Sequence, residues 1–260
     1  MIHSTILINY FLYLSMKQDR LEKVNAPPEW GIIPKMLSLE KFLYKDTIHW
    51  RNKFMKDKKY RVKAYIDGSN LYFGMIDAGF RNCKWLNVDK LIRSFLRSNQ
   101  ELVEIKYFTS RITHNPPKQK RQTTYLEALE STGVNLIYGS YQAKFTDCRK
   151  CGNSWIIPNE KMTDVNLATH LLMDAFQDQY DIAIVVSGDS DFVPCIQRVN
   201  EHFLDKSVVV FFPPLRRNES IVAVARAFQM IGRKKLVENQ FPLHVHKEDG
   251  YVLERPDEWV

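Results

Sequence analysis

Short apolar runs alternate with amphipathic stretches along the chain from about residue 61 onward. The apolar runs have the length of buried strands and are predicted at residues 62–66, 102–108, 134–138, 181–186 and 207–212. Helices are predicted from Leu71, over residues 88–96, through Tyr125 to Gly133, and over residues 162–176, 192–203 and 219–227. This alternation favours an α/β fold, with a mainly parallel sheet of about five strands and helices on both faces.

The helix over residues 162–176 has a strong periodic signal. Its predicted core-facing side chains are Val165, Ala168, Leu172, Ala175 and Phe176. Residues 140–160 break the alternation, since they contain few helix formers and hold Cys148 and Cys151. This stretch is interpreted as a small insertion in the domain.

Three regions of the chain differ in character. Residues 1–60 are rich in Lys, Arg and aromatic side chains without a sustained period, which predicts an irregular or partly helical N-terminal extension. Residues 61–240 form the predicted α/β domain, and the polar residues 241–260 form a C-terminal tail. The apolar segment 6–14 lacks a preceding Lys or Arg and is too short to span a bilayer, so no signal peptide or membrane anchor is predicted.

Composition is typical of a soluble globular protein. The 260 residues are 45% hydrophobic, which is enough for a real core, and the formal charge of +7 indicates a polyanionic partner. A charge excess of this size is also common among proteins that bind no polyanion. Four cysteines, two of them in one Cys-x-x-Cys, suit a reducing compartment and predict a cytoplasmic protein.

Acidic side chains follow two predicted strands at their carboxyl ends. Asp67 directly follows the first strand, and Asp189 follows the fourth after a Ser-Gly turn. In a parallel sheet both lie at the same edge, where open α/β sheets bind ligands. Asp164 lies in the first turn of a helix that starts at this edge, and Asp191 is close to Asp189 in sequence. The alternative for Asp164 and Asp191 is that they only stabilise helix N-termini.

Carboxylates gathered without basic partners repel each other, and the usual compensation is a hard divalent cation with oxygen ligands. Mg²⁺ or Mn²⁺ is therefore predicted at this edge, where it can lower the pKa of a bound water and neutralise charge on a phosphate. Asn70 could orient that water or a phosphate, or could be a polar cap on the following helix. Asp174 lies about 15 Å from Asp164 along a straight helix, so it is not part of the predicted site.

Three motifs carry a resemblance to a known family. They are Tyr65-Ile66-Asp67-Gly68-Ser69-Asn70, Lys161-Met162-Thr163-Asp164-Val165 and Ser187-Gly188-Asp189-Ser190-Asp191-Phe192. With these motifs in this order over about residues 61–235, the chain resembles the NYN domain family of PIN-like, LabA-like metal-dependent ribonucleases. The resemblance implies a Rossmann-like PIN fold and a metal-dependent ribonuclease site. The enzyme is predicted to be an endonuclease that acts on single-stranded RNA. The site residues that the resemblance implies are the metal ligands Asp67, Asp164, Asp189 and Asp191, with Asn70 as a catalytic partner.

Basic residues could supply the phosphate contacts of such a site. Residues 111–121 are interpreted as a basic loop after a strand end. The candidate RNA-binding residues are Arg111, Lys118, Lys120, Arg121 and Lys161. Charge runs are also typical of solvated faces. The alternative function is a non-catalytic RNA-binding or scaffold protein on the same fold.

Cys148 and Cys151 have the spacing and the following glycine of a zinc knuckle. Tetrahedral zinc needs four ligands, and the sequence holds no second Cys-x-x-Cys, so this site is half complete. Cys83, a histidine, or the same knuckle from a second subunit could supply the rest. In the last case the protein would be a homodimer.

Purified protein is expected to contain zinc, because two thiolates at this spacing form a ready half-site whose occupancy stabilises the surrounding turn. Elemental analysis of the full chain measures the metal. Cys148→Ser should release the zinc and lower the melting temperature. Protein that is free of zinc, and whose stability does not change on Cys148→Ser, would reject the knuckle.

Overall fold

The computed structural model describes residues 58–113, 115–147 and 151–259 of the chain. The strands are β1 Tyr60–Asp67, β2 Gln100–Thr109, β3 Asn135–Tyr138, β4 Ser140–Asp147, β5 Ser154–Lys161, β6 Ile182–Val186, β7 Ser207–Phe212, β8 Ala227–Met230, β9 His244–His246 and β10 Val252–Glu254. The α-helices are α1 Gly68–Asp77, α2 Val88–Arg93, α3 Pro116–Glu130, α4 Thr163–Phe176, α5 Val193–His202, α6 Glu219–Val224 and α7 Arg233–Glu238. Short 3-10 helices cover Arg81–Cys83, Ser190–Phe192 and Asp257–Trp259.

Six strands form one parallel sheet in the order β3-β2-β1-β6-β7-β8, which confirms the predicted α/β class. The sheet has one strand more than predicted, because α6 ends at Val224 and the chain then forms β8. The first three residues of β8 are exposed. This strand therefore lacks the continuous apolar run that marks the buried strands of the sheet.

Strand β1 is buried on both faces of the sheet. Val62, Ala64 and Ile66 point into a core shared with α1, α2 and α3, whereas Tyr65 points into a second core shared with α4 and α5. This alternation is the period of two expected of a strand, and it places helices on both sides of the sheet. The end of β1 is thereby held rigidly in the centre of the protein.

The predicted insertion at 140–160 is an antiparallel hairpin, in which Ser140 of β4 pairs with Lys161 of β5. Cys151 lies exposed in the turn of the hairpin, while Cys148 and residues 1–57 lie outside the described residues. The zinc knuckle and the N-terminal extension therefore stay predictions. In the part of the chain that the structure covers, no helix is both long and apolar enough to cross a membrane.

The predicted buried face of α4 is wrong for two residues. Val165 and Phe176 are 67% and 76% exposed, whereas Leu167 and Leu171 are fully buried. The helix is rotated because Thr163 and Asp174 belong to its buried face. The prediction treated only apolar residues as buried, so it placed the buried face of the helix at neighbouring positions.

The predicted polar tail at 241–260 is an ordered part of the domain. Strands β9 and β10 form a hairpin in which Val245 and Leu253 are buried. The ring of Trp259 lies 6.3 Å from that of Trp85 and 5.7 Å from that of Tyr125. Isolated apolar residues in a polar stretch give no periodic signal, although each of them adds buried area to the core.

Asp174 is the centre of a buried ionic network between α4 and the sheet. Its Oδ2 accepts hydrogen bonds from the ammonium of Lys106 at 2.6 Å, the hydroxyl of Tyr65 at 2.7 Å and the ammonium of Lys63 at 3.3 Å. Lys63 also pairs with Glu104 at 2.7 Å. Burial alone would raise the pKa of Asp174, but the hydrogen bonds from Lys106 and Tyr65 outweigh it and hold this pKa below its usual value.

Asp174→Asn is expected to reduce the free energy of unfolding by about 3 kcal/mol at pH 7, because two buried lysines lose their shared counter-ion. Since the pKa of Asp174 is lowered by folding, this stabilisation is complete above about pH 4 and disappears as the pH falls further. Urea denaturation at several pH values measures both effects. Asp205→Asn is the control, since Asp205 is 74% exposed beside Lys206, and it should change stability little. Equal stability of the two variants would show that the network is not stabilising.

Candidate active site

The candidate site lies where the order of the sheet reverses. From β1 the chain continues to β2 and β3 on one side, whereas β6, β7 and β8 follow on the other side. Strands β1 and β6 are direct parallel neighbours, with Ile66 opposite Val186. The loops that leave these two strands diverge and form a crevice, which is the usual ligand position in a doubly wound sheet.

Three carboxylates meet at this crevice. Asp164 comes from the first turn of α4, and Asp189 and Asp191 come from the loop after β6. Each offers one oxygen atom such that all three oxygens lie within 4.8 Å of one another. Asp164 and Asp191 are exposed, and Asp189 is half-buried. Three hard oxygen donors at this spacing fit a Mg²⁺ or Mn²⁺ ion, which would also relieve the repulsion between them.

Asp67, the fourth predicted ligand, lies beside this group of three but is not part of it. Its carboxylate is buried, and both oxygens accept hydrogen bonds. Oδ1 accepts from the Ser69 hydroxyl and the Asn70 backbone N–H, each at 2.9 Å. Oδ2 accepts from the Ser187 hydroxyl at 2.9 Å. Direct metal ligation by Asp67 therefore stays a prediction, while its role in positioning neighbouring segments is visible.

Ser187 connects Asp67 to the carboxylate group. Its hydroxyl donates to Asp67 and accepts a hydrogen bond from the backbone N–H of Asp189 at 3.1 Å. Asp189 in turn accepts from the backbone N–H of Asp191 at 3.0 Å. This chain of contacts fixes the loop that carries two of the three acids, and analysis of the sequence assigned Ser187 no role.

Burial raises the pKa of Asp67, and the negative charge of Asp189 raises it further. Hydrogen bonds from Asn70 and Ser187 oppose this shift without cancelling it. The surroundings of Asp67 therefore disfavour the ionised form of its carboxylate. A cation in the crevice would favour the charged form of Asp67.

Asn70 does not cap the helix, and it makes a contact that the sequence did not predict. Asp67, rather than Asn70, is the N-cap residue of α1. The side-chain oxygen of Asn70 accepts a hydrogen bond from the backbone N–H of Gly188 at 3.0 Å. Asn70 therefore ties α1 to the acidic loop, and its action on water or phosphate stays a prediction.

Gly188 lies against the loop that follows β7, and no side chain fits there. A Cβ atom at this position would lie 1.8 Å from the carbonyl oxygen of Arg216. The side-chain amide of Asn218, from the same loop, donates to the Gly188 carbonyl at 3.2 Å. The turn before Asp189 therefore needs glycine for close backbone approach.

The basic residues after β2 lie mainly on a helix, which corrects the predicted basic loop at 111–121. Helix α3 begins at Pro116 because Asn115 caps it and proline suits its first turn. Lys118, Lys120 and Arg121 lie on its first turns, and Arg121 pairs with Glu258 at 2.6 Å.

The other two basic candidates lie outside α3. The guanidinium of Arg111 stacks 4.6 Å above the ring of Tyr138, and Lys161 ends β5. Lys161 is exposed at the base of the hairpin, close in sequence to Asp164. Contacts of any of these residues with RNA stay predictions.

Comparison with known proteins agrees with this geometry. The model of the NYN domain matches residues 61–231, which include the three site aspartates and Asp67. The chain belongs to the NYN domain family. Among curated proteins it is 28% identical over 197 residues to 6-hydroxy-3-succinoylpyridine 3-monooxygenase HspA of Pseudomonas putida, with 62% of each chain covered. The NYN chain thus spans about three fifths of that relative's length.

A solved structure also resembles this NYN protein. It is the crystal structure of a protein of unknown function from Vibrio parahaemolyticus, with 23% sequence identity and a TM-score of 0.47. The match covers 68% of the present chain and 96% of the other.

Gly188→Ala is expected to lower the free energy of unfolding by about 3 kcal/mol or more, since the added methyl group would force the Arg216 carbonyl away. Thermal denaturation measures the change. Gly232→Ala is the matched control, because a Cβ at Gly232 meets no atom within 4 Å. If both variants melt at the wild-type temperature, the contact between the two loops is not tight.

Proposed function

We propose that this NYN protein is a divalent-metal-dependent endonuclease that hydrolyses phosphodiester bonds of single-stranded RNA. The observation that carries the proposal is the convergence of Asp164, Asp189 and Asp191 at the switch point of the sheet. Membership of the NYN family supports a nuclease. The excess of seven positive charges supports a polyanionic substrate.

Asp164, Asp189 and Asp191 would hold the cation, with Asp67 as a further ligand or as the residue that positions Asp189. Bound there, Mg²⁺ or Mn²⁺ would supply Lewis-acid activation of water and neutralise charge that develops on the phosphate. Three carboxylates leave further coordination positions for water and substrate, as Mg²⁺ sites usually do.

The chain's own residues orient the site and attract the substrate. Asp67, Ser187 and Asn70 hold the acidic loop in place before substrate binds, so little reorganisation is needed during the reaction. Lys118, Lys120 and Lys161 would contact phosphates and offset the repulsion between RNA and the acids.

The free thiols of Cys83 and Cys195 support the proposed cytoplasmic location.

A non-catalytic RNA-binding protein is the second candidate, because two of the acids also act as caps. Asp67 caps α1, and Asp189 caps the 3-10 helix Ser190–Phe192. Capping by itself would explain both residues, but it does not explain the approach of Asp164 from a separate element. The Pseudomonas putida relative is named for oxygenation of a pyridine, and at 28% identity that activity is not carried over to this chain.

Asp189→Asn should reduce cleavage of a circular single-stranded RNA by about a hundredfold or more in Mg²⁺ or Mn²⁺, because a ligand charge is lost. A circular substrate also tests endonuclease action, since it has no ends. Affinity for RNA should stay equal or improve slightly, because repulsion of the phosphates falls. The asparagine oxygen can still cap Asp191, so the fold should remain intact. Gel analysis, RNA-binding isotherms and Mn²⁺ calorimetry separate the three effects.

Asp164→Asn and Asp191→Asn should behave like Asp189→Asn, and EDTA should mimic them. Asp67→Asn should also lower thermal stability, since an amide offers one acceptor oxygen where the carboxylate uses two. Asp205→Asn is the matched control, because Asp205 precedes β7 at the opposite edge of the sheet. Wild-type protein that binds RNA and Mn²⁺ without cleavage would favour the second candidate. Activity that survives Asp189→Asn would mean that the site is misplaced.

A further inference from the structure

A cavity of about 380 Å³ opens beside the carboxylate group, between α1, α3 and the C-terminal residues. Tyr107, Tyr125 and Trp259 line it and are almost fully buried. Tyr72 and Phe73 of α1 also line it, but their side chains are 38% and 54% exposed. The cavity thus combines a fixed aromatic wall with two rings that remain open to a ligand, at the small end of the volumes of ligand pockets.

The cavity is adjacent to the candidate active site. Ser69 lines the cavity, and its hydroxyl donates to the carboxylate of Asp67. Ser110 lines it at the end of β2, and its hydroxyl lies 3.3 Å from that of Thr163, the residue before Asp164. Two lining residues of the cavity therefore contact Asp67 and the neighbour of Asp164 directly.

The charges of the lining favour an anionic chain. Lys84, Lys118 and Arg121 line the cavity together with one acid, Glu258, which pairs with Arg121. Burial lowers the pKa of Lys84, and the positive charge of Arg121 lowers it further. Positive charge at this opening is therefore only partly compensated. The Lys84 ammonium donates to the backbone carbonyl of Glu258 at 3.1 Å, so three cations share one carboxylate at the cavity, which favours an anionic ligand over an uncharged apolar one.

We propose that this cavity is a base-binding subsite that holds one unpaired nucleobase of the RNA strand next to the scissile phosphate. The base would stack on Phe73 and Tyr72, since rings bind the faces of unpaired bases. Lys118 and Lys84 would contact the flanking phosphates. The inference rests on the proposed function, and it would give that function a preference for single-stranded RNA, because a base within a duplex cannot enter a cavity of this size.

A double-mutant cycle between protein and RNA tests the subsite. The affinity of the full chain carrying Asp189→Asn for a labelled short oligouridylate is measured by fluorescence anisotropy. The measurement is repeated with a series of oligomers, each of which lacks the base at a different position. Phe73→Ala should weaken binding of the intact oligomer about tenfold, and loss of the base at one position should weaken binding by a similar factor. Combined, the two changes should give no further loss, because they remove the same contact. Phe73→Tyr should bind like the parent.

Two further variants control this experiment. Phe176→Ala removes an exposed ring from the far end of α4 and should leave affinity unchanged, with and without the base. Lys118→Ala should reduce the slope of log Kd against log salt by about 0.7, the value for one phosphate contact on a single strand.

The outcomes separate the subsite from the nuclease. Additive losses from Phe73→Ala and base removal, or equal affinity in all variants, would overturn the subsite even if the wild type cleaves RNA. Base-dependent binding through Phe73 by a wild type that never cleaves would keep the subsite and reject the nuclease. Absence of RNA binding by the full chain would overturn both.

Discussion

The buried carboxylate of Asp67 is the group on which the candidate site depends, because it ends the central strand and is bound from two separate segments. One oxygen holds the start of α1, and the other holds Ser187 and, through it, Asp189. Three hydrogen bonds partly compensate the cost of burying this charge, yet the pKa remains raised. A cation would therefore stabilise the charged form of Asp67. The same carboxylate holds both loops of the crevice in place.

Asp174, at the other end of α4, helps to position Asp164. Asp174 anchors α4 to the sheet through Lys63, Lys106 and Tyr65, about 15 Å along the axis from the first turn. This ionic network fixes the rotation of the helix as well as its distance from the sheet, since the lysines point from particular positions of β1 and β2. It also explains why apolar periodicity misjudged the rotation of α4: charged residues occupy part of the face that a purely hydrophobic helix would bury.

What could be predicted from the sequence was mainly local. Mainly apolar runs alternate with amphipathic stretches, and two of these runs, β1 and β6, lead into an acid, so the sheet class and the shared edge of Asp67 and Asp189 followed from the pattern. The bridge through Ser187, the packing of Gly188 against Arg216, and the enclosure of a cavity by Trp259 depend on segments distant in sequence. No local signal marks such contacts, because each consists of an ordinary residue type whose partner is determined only by the fold.

The distribution of charge would reconcile an acidic centre with the proposed polyanionic substrate. Three carboxylates within 4.8 Å would repel a phosphate strongly, and salt largely screens the net positive charge of the whole chain beyond about 10 Å. The cations that line the adjacent cavity, Lys84, Lys118 and Arg121, would change this balance locally, since a strand bound there would be held close to the acids by its own phosphates. A divalent ion would then compensate the remaining repulsion at one phosphate only. Different residues would thus bind the strand and catalyse cleavage of a single bond. Catalysis could then be lost without loss of affinity.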